Sequence, residues 1–187
     1  MIPPGLSFIS MSKKAWEAVE KSNLPKFYLN LKSYRKSLLS NSNPYTPAVN
    51  LVFALDEALK MMREEGLDNI FLRHNKHKLA MSNAVKALNL KLFADEKYLS
   101  PSITAIKTEG IDAEEFRKTI KNNFDILLAG GQDHLKGKIF RVGHLGYVND
   151  RDIISVVSAI SNTLLSLGKI SAQQAGEALI VASKYLK

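Results

Sequence analysis

The stretch AGGQDHLKGKIFRVGHLG, Ala129–Gly146, places five glycines, two histidines, two lysines and one arginine within eighteen residues. Its segment KIFRVG alternates as a β-strand does, with Ile139 and Arg141 on one face. Phe140 and Val142 then point to the other face. An arginine beside an apolar neighbour favours a carboxylate or phosphate partner, because its planar fork bonds such groups bidentately. From the spacing alone, an internal ion pair with Asp or Glu is the somewhat better interpretation. The glycines suit either a plain turn or the close approach of a ligand.

Outward from this stretch, short apolar runs alternate with helical patterns from Leu90 onward. The runs expected to form strands are LKLFA, SITAIKT, ILLAG and KIFRVG. Helical patterns cover Asp112–Phe124, Asp150–Leu167 with Asn149 as its cap, and Ser171–Leu186. This order predicts an α/β fold of the α+β type, in which a small mixed or antiparallel sheet carries its helices on one face.

The first half of the chain has a different pattern. LSFISM, Leu6–Met11, alternates like a half-buried strand. Helices are expected after it in the segments Ser12–Lys21, Phe27–Leu39, Ala48–Glu65 and Asp68–Leu88, with Ser12 and Asp68 as caps. The first two turns of the helix Ala48–Glu65 are apolar nearly all round, which predicts cover on two sides at a domain or subunit interface.

The composition narrows the classes of protein. The chain of 187 residues suffices for one sizeable core and an additional element. It has no cysteine, which excludes disulfides and thiolate chemistry and suits the cytoplasm, the location we predict. No apolar run reaches the roughly 20 residues of a membrane-spanning helix, so no membrane partner is expected. The formal net charge of +8 permits an anionic partner, but the basic residues are scattered, and nucleic-acid binding is not expected.

Two histidines form a further candidate site. His74 and His77 lie three residues apart on a predicted helix, close enough in principle to share a metal ion. No third ligand accompanies them, and Lys76 and Lys78 stand beside them, so a solvated helix face is the better interpretation. The sequence therefore predicts no metal site. It also lacks the common signatures of serine hydrolases, phosphate-binding loops and zinc proteases.

Four segments carry a resemblance to a known family. They are PPGLSFISMS, NPYTPAVNLVFALDEAL, EEGLDNIFLRH and LLAGGQDHLKGKIFRVGHLG, and they occur in this order. Together they resemble the C-terminal half of class V pyridoxal-phosphate-dependent aminotransferases. The most similar group is that of the alanine–glyoxylate and serine–pyruvate aminotransferases, some of whose relatives carry the name soluble hydrogenase small subunit. The resemblance runs from about Met1 to Gly168.

The resemblance implies roles for particular residues. Arg141 matches the arginine that binds the α-carboxylate of the amino-acid substrate. Thr46 matches a residue that reaches the phosphate of pyridoxal 5'-phosphate in the neighbouring subunit, and Tyr45 lies beside it. The implied substrates are a small amino acid of the alanine or serine type and a 2-oxo acid such as glyoxylate or pyruvate. A homodimer would form through the helix around Ala48–Met62.

The resemblance also implies a domain plan. Residues 1–88 would be the end of the large cofactor-binding domain of a fold-type I transferase. Residues 89–168 would form its small C-terminal domain. Residues 169–187 would add a C-terminal helix that lies beyond the resemblance and to which we assign no role.

One feature of the family has no counterpart in this chain. The Schiff-base lysine of the family precedes the Pro-Pro-Gly turn by a few residues, and here only Met1 and Ile2 stand before Pro3. We therefore assign no catalytic residue to this chain and expect the 187 residues alone to be inactive and not to retain the cofactor. The alternative hypothesis is a dimerisation or binding module in its own right, or a separately encoded half of a split enzyme.

Overall fold

The computed structural model describes residues 2–187. The helices are α1 (Lys13–Lys21), α2 (Leu31–Leu39), α3 (Val49–Glu65), α4 (Leu67–Ala87), α5 (Ala113–Phe124), α6 (Asp150–Ser166) and α7 (Ala172–Tyr185). The strands are β1 (Lys91–Leu92), β2 (Ile103–Lys107), β3 (Ala129–Gly130) and β4 (Ile139–Gly143). The described residues form two compact units, one of residues 2–64 and the other from Glu65 to Lys187. The domain limits expected for the complete protein stay a prediction.

The sheet belongs to the second unit. Its strand order is β1-β2-β4-β3, and every neighbouring pair is antiparallel. β4 lies between β2 and the edge strand β3, and Arg141 in its middle stands opposite Ala105 and Ala129. The predicted α/β fold with a small antiparallel sheet is confirmed.

Helices cover one face of the sheet. The side chains of Ile106, Phe140 and Val142 point into this core, to which helices α4, α5, α6 and α7 also contribute buried side chains. Because side chains alternate along a strand, Arg141 between Phe140 and Val142 points to the opposite face, as the sequence predicted. That opposite face is called the open face below.

Helix α7 packs closely on α4 and α6. The contacts include alanines that are completely buried, Ala80 and Ala84 of α4 and Ala178 and Ala182 of α7. Small side chains let two helix axes approach one another, which explains why the last segment of the chain docks on the core. The amphipathic helix predicted at Ser171–Leu186 is thus confirmed.

Side-chain caps begin most of the helices. The side chains of Ser12 and Asn149 accept backbone hydrogen bonds at the starts of α1 and α6, as expected. The cap expected at Asp68 is wrong. Gly66 precedes α4 with a φ of +81°, and Asp68 lies inside the first turn. Glycine tolerates this backbone conformation, which ends α3 and begins α4 within two residues.

The first unit departs twice from the expectations. The strand expected at Leu6–Met11 is not formed, and Phe8 and Ile9 are 77% and 67% exposed. An alternating pattern makes a strand only where a second strand offers hydrogen bonds, and no strand lies between residues 2 and 64. The helix expected from Phe27 begins only at Leu31, where Asn30 caps it.

Candidate functional site

Arg141 is half-buried on the open face. Its Nε donates a hydrogen bond to the carbonyl oxygen of Gly130 at 2.9 Å. Its strand neighbours Ala105 and Ala129 have only methyl side chains. Within residues 2–187 its guanidinium has no ion pair with a carboxylate, and its two terminal nitrogens donate no hydrogen bond. The internal ion pair that the spacing alone favoured is therefore wrong, and two donors stay available for an anion.

Gly130 and Gly131, which precede β4, lie close to neighbouring atoms. A Cβ atom at Gly130 would lie 2.5 Å from Nη1 of Arg117 and 2.7 Å from Oε1 of Glu114. A Cβ atom at Gly131 would collide with the backbone carbonyl of Leu135. Gly131 is thus required by packing against the backbone, whereas an alanine at Gly130 would displace two flexible side chains, and neither glycine by itself indicates a ligand.

Helix α4 fixes the loop that follows β4. Nη1 of Arg73 donates hydrogen bonds to the carbonyl oxygens of Gly146 at 3.0 Å and Val148 at 2.9 Å. The other side of the same guanidinium donates to both carboxylate oxygens of Glu65. The backbone N–H of Gly146 donates to Nε2 of His74 at 3.2 Å. Because Gly146 is bonded through both of its backbone groups, the loop has one defined position relative to α4.

His77 lies in the interior and not on a solvated helix face, so that expectation is wrong. Its Nε2 bonds Oδ1 of Asp150 at 2.9 Å, and Nζ of Lys76 donates to Oδ2 of the same carboxylate at 2.8 Å. Burial lowers the pKa of His77 below its ordinary value, although the hydrogen bond to Asp150 opposes this shift. The paired residues tie the start of α6 to α4, and His77 therefore has a structural role. No cluster of three or more metal-binding side chains occurs among residues 2–187.

His144, three residues after Arg141, is completely buried. Its Nδ1 lies 3.1 Å from the carbonyl oxygen of Pro101, so this nitrogen carries the hydrogen. Its Nε2, 2.8 Å from the hydroxyl of Thr104, then accepts a hydrogen bond. Burial lowers the pKa of His144 to about 4, so the ring is neutral at physiological pH. His144 thereby joins the end of β4 to the start of β2.

Thr46 and Tyr45 lie in the first unit, just before α3. Thr46 is exposed, and its hydroxyl makes no hydrogen bond within residues 2–187. It precedes the first turn of α3, which has no acidic residue. The hydroxyl of Tyr45 donates to the carbonyl of Phe27 at 3.0 Å. The Tyr45 ring packs against the rings of Phe27, Tyr28 and Tyr34.

Several residues that shape this region were not found from the sequence. Arg73, Arg117 and His144 act through backbone carbonyls and a threonine far away in the chain. Such partners leave no local spacing signal, whereas Arg141 stood out because it interrupts an apolar strand. The one available hint was that His144 directly follows the strand.

Comparison with known proteins gives relatives of about twice the length. A soluble hydrogenase 42 kDa subunit of Anabaena cylindrica is 55% identical over 168 residues, which are 90% of this chain and 44% of the relative. An uncharacterised aminotransferase of Methanocaldococcus jannaschii is 40% identical over 169 residues, 89% of this chain and 44% of that protein. No family model matches the sequence. The chain thus spans a little under half the length of these relatives.

Solved structures agree with the sequence relatives. The ureidoglycine–glyoxylate aminotransferase of Bacillus subtilis superposes with a TM-score of 0.86 at 28% identity, covering 98% of this chain and 49% of that one. The homologues and structural neighbours are class V aminotransferases, which confirms the resemblance found in the sequence. Among residues 2–187, no helix combines the length and the apolar character needed to cross a membrane.

Proposed function

We propose that this chain, whose homologues and structural neighbours are class V aminotransferases, is the C-terminal part of a pyridoxal-phosphate-dependent aminotransferase. The complete protein would transfer an amino group between a small amino acid of the alanine or serine type and a 2-oxo acid such as glyoxylate or pyruvate. As predicted from the sequence, it would act in the cytoplasm. The observation that carries the proposal is the guanidinium of Arg141, which faces the open side of the sheet without a carboxylate partner in residues 2–187.

In this proposal Arg141 binds the α-carboxylate of the substrate. Both terminal nitrogens are available, and a carboxylate accepts two parallel N–H···O bonds from such a fork. The bond from Nε to Gly130 fixes the plane of the guanidinium, so the carboxylate would be held in one orientation. A fixed carboxylate orients the Cα–H bond for proton removal, which is a contribution of positioning.

Thr46 is the residue of this chain that best suits the cofactor phosphate. Its hydroxyl is exposed and unbonded within residues 2–187, and α3 begins three residues later with no acidic side chain in its first turn. A helix N-terminus favours anions, so this environment fits a phosphate of the neighbouring subunit. The Tyr45 hydroxyl already donates to Phe27, which makes Tyr45 the weaker candidate.

When bound, pyridoxal phosphate supplies an electron sink for the charge left at Cα. The residues of this chain would bind and orient the substrate, and the lysine that moves the Cα proton would come from the remaining half of the complete protein. We therefore propose that the 187-residue chain alone neither catalyses transamination nor retains the cofactor.

A joined protein tests the role of Arg141. The N-terminal part of the Anabaena cylindrica relative would be fused ahead of this chain, and amino transfer from alanine or serine to glyoxylate would be measured. We expect Arg141→Lys to lower kcat/KM by about 100-fold, because a single ammonium cannot replace the bidentate fork. Arg151→Lys is the matched control, since Arg151 is exposed on α6. Unchanged kcat/KM in Arg141→Lys would contradict the assignment.

The first unit supports a proposed homodimer through the helix around Ala48–Met62. Within α3 only Ala58 is buried, whereas Phe53 is 71% exposed, and Val49 and Val52 are each 49% exposed. Apolar side chains gathered on one helix favour an interface with another protein surface. The same observation supports the second candidate, a dimerisation module or a separately encoded half.

Separating the two candidates requires a size measurement. The chain would be mixed with a separately produced N-terminal half of the relative, and the mass of the product would be measured by light scattering. A homodimer of the 187-residue chain that excludes the added half would favour the dimerisation module. A heteromeric product would instead support an aminotransferase half, including one that is separately encoded, and would contradict the dimerisation module.

A further inference from the structure

We infer that Arg117, together with Glu114, is a positioning residue that sets the orientation of Arg141 through the backbone of β3. The inference deepens the proposed function and rests on it for the role of Arg141. Arg117 and Glu114 lie on α5, on the helix-covered side of the sheet, whereas Arg141 lies on the open face. Strand β3 separates the two arginines and contacts both.

The contacts form a continuous chain. Nη1 of Arg117 donates to Oε2 of Glu114 at 2.7 Å, and Nε of Arg117 donates to the carbonyl oxygen of Leu128 at 2.8 Å. Two residues further along, the carbonyl oxygen of Gly130 accepts the bond from Nε of Arg141 at 2.9 Å. Each arginine thus donates to a carbonyl of the same short segment, from opposite sides of the sheet.

Strand β3 needs such support because it is short and lies at the edge. It has two residues and pairs only with β4. The outer carbonyls of an edge strand have no ladder partner, so its position depends on what else binds them. Arg117 supplies one of these bonds with a guanidinium that Glu114 holds in place, and its side chain is only 22% exposed.

Gly130 packs directly against the side chains of Arg117 and Glu114. An added Cβ atom would lie 2.5 Å from Nη1 of Arg117 and 2.7 Å from Oε1 of Glu114, which is itself buried. Both are ends of flexible side chains, so Gly130→Ala would displace these two side chains without a direct clash with the backbone. A shift of Arg117 releases Leu128, and the neighbouring Gly130 carbonyl moves with it. The Arg141 guanidinium would then lose its fixed plane.

The test observes Arg141 directly in the 187-residue protein. The Nε–Hε signal of Arg141 would be recorded by NMR on isotope-labelled protein and assigned by its loss in Arg141→Lys. We expect a hydrogen-bonded, slowly exchanging signal in the wild type. Both Gly130→Ala and Arg117→Met should shift it and speed its exchange. In the double variant the effects should not add, because both act through the same guanidinium.

Gly143→Ala is the matched control. Gly143 lies at the end of β4, and an added Cβ atom there would meet nothing within 4 Å. The control should leave the Arg141 signal unchanged, and amide spectra of all variants should retain the wild-type pattern outside β3 and α5. If Gly130→Ala and Arg117→Met, like the control, change neither the position nor the exchange rate of the Arg141 signal, the positioning role is wrong.

A titration with pyruvate separates this inference from the proposed function. We expect pyruvate to shift the Arg141 signal in the wild type, and the Kd to rise about three- to tenfold in Gly130→Ala and Arg117→Met. A wild-type signal that responds to the substitutions but not to pyruvate would support the positioning role and contradict the carboxylate role. A signal that responds to pyruvate with equal Kd in all variants would overturn the positioning role alone.

Discussion

At the scale of single residues, the buried His144 links the strand of Arg141 to the neighbouring strand β2. His144 joins Pro101 and Thr104 in its neutral form, and burial lowers its pKa from 6.5 to about 4. Between these two pH values the unfolded chain binds a proton that the folded chain does not. The free energy of unfolding therefore falls as the pH drops through this window, and the full contribution of the neutral ring is present only above it.

Stability measurements at two pH values check this effect. Between pH 7 and pH 4 the wild type should lose roughly 3 kcal/mol more than His144→Gln, which has no ring to protonate. Urea unfolding of both proteins gives the two free energies. His134→Gln, at an exposed position in the loop before β4, should behave like the wild type. Equal losses in wild type and His144→Gln would show that His144 does not titrate in this way.

Arg73 is the second residue that should contribute measurably to the free energy of unfolding. It donates to Glu65 and to the carbonyls of Gly146 and Val148, and its side chain is 21% exposed. Arg73→Ala should lower the free energy of unfolding by about 2–3 kcal/mol, because it leaves two partly buried carbonyls and a partly buried carboxylate without their donor. Arg151→Ala on the surface of α6 should change it by less than about 0.5 kcal/mol. If Arg73→Ala changed the free energy of unfolding by less than about 0.5 kcal/mol as well, Arg73 would not be holding the loop after β4 in place.

Individual residues show what could and what could not be predicted from the sequence. Arg141 could be singled out because a charged side chain in an apolar strand is a local signal. The burial of His77 could not be predicted, because it depends on a contact with Asp150, which is 73 positions away in the chain. Its neighbours Lys76 and Lys78 indicated a solvated face, and the contact with α6 overrode that local pattern.

At the scale of elements, the close packing of α7 on α4 depends on small side chains. Ala178→Leu adds three carbon atoms where the exposed fraction is zero, and overpacking of this kind costs about 1–3 kcal/mol. Thermal or urea unfolding should report that loss. Ile180→Ala on the outer side of α7, where the side chain is 61% exposed, should stay within about 0.5 kcal/mol of the wild type. Equal stability of Ala178→Leu and Ile180→Ala would mean that α7 is not closely packed.

Element boundaries were predictable where a side chain caps a helix. Asn149 and Ser171 begin α6 and α7 with reciprocal capping boxes, and both starts were expected from the sequence. The strand expected in LSFISM failed for the opposite reason. A strand requires a second strand, and the pattern of one segment does not reveal whether residues 2–64 contain one.

At the scale of the whole molecule, the chain is about half the length of its relatives, and the proposed activity needs the other half. The open face of the sheet carries Arg141, and α3 exposes apolar side chains. Both are features that a complete site or an interface would cover. The small sheet could be predicted from the sequence because its strands and helices alternate within one stretch. The surroundings of Thr46 could not, because its hydroxyl is exposed and the pattern of one segment carries no signal of what covers it.

The most direct test measures transamination in separate and combined halves. The 187-residue chain, an N-terminal half of the Anabaena cylindrica relative and a mixture of both would be assayed with pyridoxal phosphate, alanine or serine, and glyoxylate. We predict no activity in either half and measurable amino transfer in the mixture, lowered about 100-fold in kcat/KM when Arg141 is replaced by Lys. Transamination by the 187-residue chain alone would contradict the account, and so would an inactive mixture that forms a stable complex.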